Sequence, residues 1–598
     1  MKTKLKNIHD IVYYLWIGAD FVFQCTGIQI DNKIDGSGDS QLYFQELYYH
    51  LRFHTYYLCC EEKNIVIRSM QFIALRGLRT SIQCTRGFAR SFSIGGGNDV
   101  IWSRTPAGES KMSRHAAPIS SNKYKRVVDS AVLWRKRSDA PLPNSFDFWG
   151  IKADVLHIIL FDMGKRKKTV HLDHHSIEAL TTKLKETPVY ESNKEIGMLL
   201  YGLSCLKFMS SNVGVRDVLL AVRDVLARNS EEVWNRQTIS MALYGLKNTS
   251  ADVWGVKELL WEYTKRISTC TETFDATTLA TTLNGLRNMS SDHEVILQLL
   301  RVLLPHLDRC TEPLGAISLA NSLYGLRCMS SAYPEVRQVL TSITRHVNAC
   351  TEVLPAKQVG NALYGLRNMN SEHKEVRVLL VALTKHINNA SSLDAQAIGN
   401  ALYGMRNMST GCKETRALLR ALVPHAAACE QHMNCQEIAN GLYGMKLMST
   451  EHEEVRSMVR VLTRHVVSCR EPFRAQEVGN ALYGMKGMSS SHAEVRELIS
   501  AISPVMMRCR EVLNTQELSN AFIGLQHMSS SHQEVRGLLA VLRHHVKMCK
   551  TSLSKTLITS IKTGLKNMSK EHKEVKDLIN VLPQLDTMNI NNSMLPER

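Results

Sequence analysis

From about residue 192 to residue 582, one arrangement of apolar and polar positions recurs along the chain. Its clearest copies are NALYGLRNMNSEHKEVRVLLVAL, beginning at Asn361, and NALYGMKGMSSSHAEVRELISAI, beginning at Asn480. Numbered from the glycine of each copy, apolar residues fall at −6, −2, +1 and +4, as in Val359, Leu363, Leu366 and Met369. That period of 3.6 predicts an amphipathic helix A. A second apolar set near +11, +14, +15 and +18, in the run EVRxLLxxL, predicts a helix B. Between them lies a turn rich in Ser, Thr and Asn, such as Met488-Ser489-Ser490-Ser491. Glu494 stands three residues after Ser491, the spacing of a capping box that would start helix B. Proline at +20 in three copies (Pro305, Pro424, Pro504) predicts a kink or end of helix B there, because proline removes a backbone donor and clashes with the preceding turn. A short third segment over 424–429 would follow.

The marker glycines are Gly202, Gly245, Gly285, Gly325, Gly365, Gly404, Gly444, Gly484, Gly524 and Gly564, spaced 43, 40, 40, 40, 39, 40, 40, 40 and 40 residues apart. A fixed period of this size means a stacked array in which each unit buries its apolar face against its neighbours. The expected fold is therefore all-α: a right-handed superhelical α-solenoid of about ten helical-hairpin repeats of ~40 residues over 191–585, with a tail at 586–598 and a poorly ordered N-terminal region. Residues 1–69 resemble nothing downstream. Residues 70–98 carry Arg76, Arg79, Arg86 and Arg90 with no acid before Asp99, the composition of an organelle transit peptide. On that reading translation starts at Met70 and the mature chain near Ser93. Residues 99–190 read as a basic linker and degenerate region, with basic runs at 135–137 and 165–168.

Lys and Arg number 73 against 56 acids, a formal net charge of +17, with a sequence pI near 9.2. Such a balance favours polyanionic partners. Fifteen cysteines are too dilute for a disulfide miniprotein, and no CxxC pair occurs. No apolar run approaches the ~18 residues of a spanning helix. Without a nucleophile–base pair, Walker loop, HExxH or dinucleotide fingerprint, the chain reads as a binding protein with neither catalysis nor cofactor. His and Cys recur four apart (His306/Cys310, His346/Cys350, His425/Cys429, His465/Cys469, His545/Cys549), a spacing that could bind zinc. His386 faces Ala390, however, and Val505 precedes Cys509, so packing explains the series better than metal.

One side of helix A, opposite its apolar arc, carries an unusual set. At −4 stand Asn321, Asn361, Asn400, Asn440, Asn480 and Asn520, and at −1 Tyr244, Tyr324, Tyr364, Tyr403, Tyr443 and Tyr483. At −8 come Gln396, Gln436, Gln476 and Gln516, and at +3 Asn248, Asn288, Asn368, Asn407 and Asn567. Amides offer donor and acceptor together, and aromatic rings offer faces to unstacked bases. The same residues equally suit hydrogen-bond ladders and packing between repeats, and both readings stand at −4 and −1. Positions −8 and +3 vary more, which suits discrimination. Cations recur at +2 (Arg287, Arg327, Arg367, Arg406, Lys446, Lys486, Lys566) and at +12 (Arg337, Arg377, Arg416, Arg456, Arg496, Arg536, Lys576). Either row could contact phosphates. For +12 the competing partner is the Glu at +10.

Asn-Ala-Leu-Tyr-Gly-Leu-Arg-Asn-Met, repeated every 40 residues within paired helices, resembles the octotricopeptide-type repeats of organelle proteins. The resemblance implies an α-solenoid that binds single-stranded RNA in mitochondria or chloroplasts and acts in transcript maturation, stability or translation. A mitochondrial location is expected, with plastid or nucleus as alternatives. The competing reading is a protein- or peptide-binding scaffold of armadillo or HEAT type, since asparagine ladders also hold extended peptides. Charge separates the two. Cations lining the same groove as the Asn/Tyr stripe favour RNA.

Overall fold

The computed structural model describes residues 148–166, 170–207, 214–229, 233–549 and 554–581, all within the second of two compact units, 117–598. The atypical segment 1–69, the transit-peptide reading of 70–98 and the tail at 586–598 lie outside the described residues. Among those described are twenty-two α-helices. They pair into eleven hairpins of a short helix A and a helix B, as in Ala395–Gly404 with Lys413–Ala428. Each helix A packs on the A helices before and after it, and each helix B on its B neighbours. The result is a two-layer α-solenoid, and its core lies between the layers. Leu363 of one helix A, with Leu366 and Met369 of the turn after it, is buried with Leu379, Leu380 and Leu383 of helix B. The one strand pairing among the described residues is a two-residue parallel bridge, β1 (Val170–His171) with β2 (Leu206–Lys207).

The marker glycine is required by proximity and not by backbone conformation. Gly365 and Gly524 have φ of −58° and −60°, ordinary helical values. A Cβ added at Gly285 would lie 2.5 Å from the carbonyl oxygen of Leu243, two residues upstream of the preceding marker. At Gly325, Gly365, Gly404, Gly444 and Gly484 the matching leucine oxygen would be closer still. Helices A therefore touch backbone to backbone, and any side chain at the marker would force them apart. A second close contact lies at −5, where a Cβ on Gly360, Gly399 or Gly479 would meet the next repeat at 2.9–3.2 Å.

Two helices, α1 (Leu156–Lys165) and α2 (His174–Glu186), extend the array into the stretch read as linker and degenerate region. The register follows from Gly202, whose Cβ would press on Leu160. Leu160 thus stands at −2 and Asp162 at the marker position. No α-helix among the described residues precedes α1, and a side chain stands at that position. Asp162 pairs instead with Arg166 at 2.8 Å. The missing glycine is what hid this repeat in the sequence.

Two local expectations are corrected. Helix B does not end at proline: Glu294–Arg309, Lys413–Ala428 and Ala493–Met507 run through Pro305, Pro424 and Pro504, and no third segment forms. The carbonyls deprived of a donor belong to Arg301, Arg420 and Ser500, all exposed residues of the helix, where losing the bond costs less than in the core. Ser491 is not an N-cap either. Helix B begins one residue later, at the His492 cap, with no side-chain capping bond. Instead Arg496 donates to the carbonyls of Ser490 and Ser491, both at 2.9 Å, and closes the turn from inside the helix.

Replacing Gly404 with Ala should lower the urea midpoint by the equivalent of at least about 1–3 kcal/mol, the usual cost of overpacking. Gly537, mid-helix with open space around its Cβ position, provides the opposite case. Gly537→Ala should stabilise by about 0.5–1 kcal/mol. Equal effects at the two sites would contradict the contact argument.

Candidate nucleic-acid interface

Backbone contact between A helices brings the −1, +2 and +3 side chains of successive repeats within bonding distance. The guanidinium Nε of Arg287 donates to the carbonyl of Lys247, the +2 residue of the preceding repeat, at 3.0 Å. Arg327, Arg367 and Arg406 repeat the bond to the carbonyls of Arg287, Arg327 and Arg367, each at 2.9 Å. Nη1 of Arg367 and of Arg406 donates to the hydroxyl of Tyr364 and of Tyr403, both at 2.5 Å, and Arg327 binds Tyr324 likewise. The third branch of Arg406 reaches Asn368 Oδ1 at 2.6 Å, and that of Arg287 reaches Asn248 Oδ1 at 2.6 Å. The +3 amides complete the zipper by donating to the same carbonyls, Asn288 at 2.9 Å, Asn368 at 3.2 Å and Asn407 at 3.1 Å. Position +3 is therefore structural. Its expected role as a discriminating contact is corrected.

The −1 tyrosines stack on one another. Ring centroids are 5.9 Å apart for Tyr324–Tyr364, 5.5 Å for Tyr364–Tyr403, 5.7 Å for Tyr403–Tyr443 and 5.6 Å for Tyr443–Tyr483. Tyr201 and Tyr244 form a second, N-terminal stack at 5.1 Å. The +2 cations hang over these rings, Arg327, Arg367, Arg406 and Lys446 at 4.6–4.9 Å from their own tyrosines and Lys486 at 5.8 Å. Within the regular run the ring faces serve each other, in line with the packing reading of −1, and edges and cations remain for a ligand. The stack is interrupted once, at Asn284, which occupies −1 between Tyr244 and Tyr324.

The two cation rows have different fates. At +12, Arg337, Arg377, Arg416, Arg456, Arg496 and Arg536 all donate into their own turn carbonyls, for example Arg377 to Ser371 at 3.0 Å and to Glu372 at 2.6 Å. Three of them also approach the +10 glutamate of the next repeat, Arg337–Glu375 at 4.0 Å, Arg496–Glu534 at 3.8 Å and Arg536–Glu574 at 3.9 Å. This row is structural, and its expected phosphate contacts are corrected. Along the B layer, Arg301–Glu335 at 2.6 Å and Arg460–Glu494 at 3.2 Å pair in the same manner.

At +2 no acid answers. Among the described residues, Arg287, Arg327, Arg367, Arg406, Lys446 and Lys486 take part in no ion pair. They crowd one another instead. Burial, then the charges of Arg406 and Lys486, push the Lys446 ammonium down to about 8. Burial and Arg327 also hold Arg287 below its ordinary value.

Beside this row lie the −4 amides. Asn321, Asn361, Asn400, Asn440 and Asn480 are half-buried, and their side chains make no hydrogen bond among the described residues. Asn520 differs, accepting from Gln516 at 3.0 Å. Gln396, Gln436 and Gln476 at −8 are exposed on the same helices. The recurrent histidines and cysteines sit elsewhere, at the end of helix B. His386 and His425 lie 2.7 and 2.8 Å from the carbonyls of Val347 and Ile387 in the preceding repeat, so the imidazoles cap helix termini. Of the recurrent cysteines, Cys310, Cys350 and Cys469 are buried, and Cys429, four residues after His425, is half-buried.

The arrangement is a ribbon of uncompensated cations backed by aromatic rings and bordered by unpaired amides. What the sequence reading missed was the division of labour between +2 and +12. The signal was present, because Tyr at −1 and Arg at +2 are three apart and share a helix face.

No protein-family model and no curated protein matches the chain. One solved structure, described as "APUM23-deletion-of-insert-region-GGAAUUGACGG", is similar over 79% of this chain and 97% of that chain, at 12% identity and a TM-score of 0.20. A superposition that loose carries no argument. No helix among the described residues is long and apolar enough to cross a membrane.

Arg377→Ala should cost about 1.5–3 kcal/mol of stability, the range for hydrogen bonds from a charged donor. Arg377→Lys should recover little, because an ammonium cannot reproduce the guanidinium fork. Full stability of the alanine variant in urea unfolding would contradict the turn-closing role.

Proposed function

We propose that the array is an organelle RNA-binding protein that grips single-stranded RNA along the exposed face of its A helices and acts in transcript maturation, stability or translation. The observation that carries the reading is the +2 row. Six cations at 39- or 40-residue spacing have no acidic partner among the described residues, whereas Arg337, Arg456, Arg496 and Arg536 of the +12 row stand within 4.0 Å of a glutamate. Burial first, and then the charges of Arg406 and Lys486, depress Lys446, and a polyanion threaded along the row would offset the second of these causes. Phosphates would lie on Arg327, Arg367, Arg406, Lys446 and Lys486, and base edges would meet the unpaired asparagines at −4 and the glutamines at −8. A peptide scaffold would use the same amides, but a neutral backbone gains nothing from a cation row. The organellar and mitochondrial assignment rests on the octotricopeptide-type resemblance and on the acid-free arginine segment 70–98. A reporter fused to residues 70–100 should enter mitochondria, and diffuse fluorescence would overturn that assignment.

Replacing Arg367, Arg406 and Lys446 together with Gln should weaken binding to all RNA sequences. It should also flatten the salt dependence by about 0.7 per lost contact, about 2 in all. Gln396→Ala with Gln436→Ala should change base preference and leave the slope intact. Because the folded-state Lys446 titrates near 8 and phosphate favours its charged form, binding should take up protons around pH 8 and weaken as pH rises beyond it. Filter binding across salt and pH provides the measurement. An unchanged slope in the triple variant would favour the peptide scaffold.

A further inference from the structure

The tyrosine stack breaks at one repeat inside the array. At Asn284 the −1 ring is missing while both neighbours, Tyr244 and Tyr324, are present. Tyr244 is stacked on its other side by Tyr201 at 5.1 Å, and Tyr324 by Tyr364 at 5.9 Å. The two rings flanking Asn284 are therefore two ladder steps apart. Stacked aromatic rings lie about 4.5–7 Å apart, so the notch is the one rung at which the ladder lacks a ring.

Its lining differs from every regular rung. Asn284 Oδ1 is buried and has no hydrogen-bond partner. Arg287 keeps its bonds to the Lys247 carbonyl at 3.0 Å and to Asn248 at 2.6 Å. The regular rungs Arg327, Arg367 and Arg406 give Nη1 to a tyrosine hydroxyl. Arg287 has no hydroxyl on its own helix to receive it. The Lys247 ammonium lies 3.7 Å from the centre of the Tyr244 ring, nearer than any other +2 cation comes to its tyrosine. The notch thus combines one unsatisfied acceptor, Asn284 Oδ1, with an Arg287 branch that has no tyrosine hydroxyl to bind, next to a Tyr324 ring that carries the Arg327 guanidinium at 4.6 Å.

We propose that this notch is a base-selective site that takes a keto base, guanine or uracil, of the single strand. The inserted base completes the broken stack by lying on Tyr324. Its ring N–H donates to Asn284 Oδ1, and its keto oxygen accepts from Arg287. Adenine and cytosine carry an unprotonated ring nitrogen at the position of that N–H, so they leave Asn284 unsatisfied. Burying an unpaired polar group is what produces strong discrimination. The proposal rests on the RNA reading of the +2 row and adds a register: one repeat reads a base by stacking and hydrogen bonding, while the regular rungs hold the backbone.

The variant that tests it is Asn284→Tyr, which restores the regular −1 residue and closes the notch with the ring its neighbours already carry. Binding is measured by competition between single-stranded RNAs of equal length containing A and C only, or A and C with one U or one G. The wild-type protein should prefer the U- or G-containing strands about tenfold, about 1.4 kcal/mol. Asn284→Tyr should retain affinity for the A/C strand and its salt slope while losing the preference. Thermal unfolding of the variant checks that it folds, and Asn284→Leu, which removes the acceptor without adding a ring, should lose the preference as well. A preference unchanged in both variants, or absent from the wild type while RNA still binds, would overturn the notch alone. Absence of RNA binding by the wild type would overturn the underlying reading instead.

Discussion

Contact between the marker glycine of one helix A and the carbonyl oxygen of the −2 leucine in the preceding repeat sets the spacing on which the other ladders depend. With any side chain at that position the helices would separate. The −1 rings could not then stack at 5.5–5.9 Å, and a +2 guanidinium could not reach the preceding +2 carbonyl at 2.9 Å. The first repeat supplies the complementary case. With no described neighbour before it, α1 carries Asp162 where its successors carry glycine. The constraint belongs to the interface between repeats and not to the hairpin itself, as expected of an array stabilised by nearest-neighbour contacts.

The same spacing sorts the charges. Cations of helix B stand where the next repeat offers a glutamate or their own turn offers carbonyls, and they are used up in joining the layer. Cations at +2 stand on the A side, where each repeat presents only tyrosine, asparagine and another cation. Their hydrogen bonds to tyrosine and carbonyl hold the guanidinium planes in place without neutralising them. Positioned charge that remains uncompensated is suited to a polyanion, because the side chains are already ordered when the ligand arrives. Both rows look alike in the sequence, yet glutamates stand within 4.0 Å of Arg337, Arg456, Arg496 and Arg536 in the +12 row and of none of the +2 cations among the described residues.

Much of the fold was legible because period and composition report burial directly. Val359, Leu363, Leu366 and Met369 lie in the core as their spacing requires. The glycines marked every interface between described repeats, and only the first described repeat, with no described α-helix before it, carries another residue at that position. Pro305, Pro424 and Pro504 misled because the strength of a helix break depends on whether the freed carbonyl is buried, which sequence does not show. For the site, the face was legible and the roles were not. Asn368 stands in the turn that follows one helix A, and Asn361 on that helix itself. The first is consumed by the carbonyl of Arg327 in the preceding repeat, at 3.2 Å; the second has no bonding partner among the described residues. That difference arises from a neighbouring repeat 40 residues away, beyond the reach of local pattern.

The central claim is that the A-helix ribbon, and not the B layer, carries the ligand. Photocrosslinking a 4-thiouridine-substituted single strand to the intact chain, followed by mass spectrometry of the modified peptides, tests it most directly. The account predicts adducts within the −8 to +2 segments of several consecutive repeats, including those of Gly365, Gly404 and Gly444. Adducts confined to helices B, with the strand still bound, would contradict it.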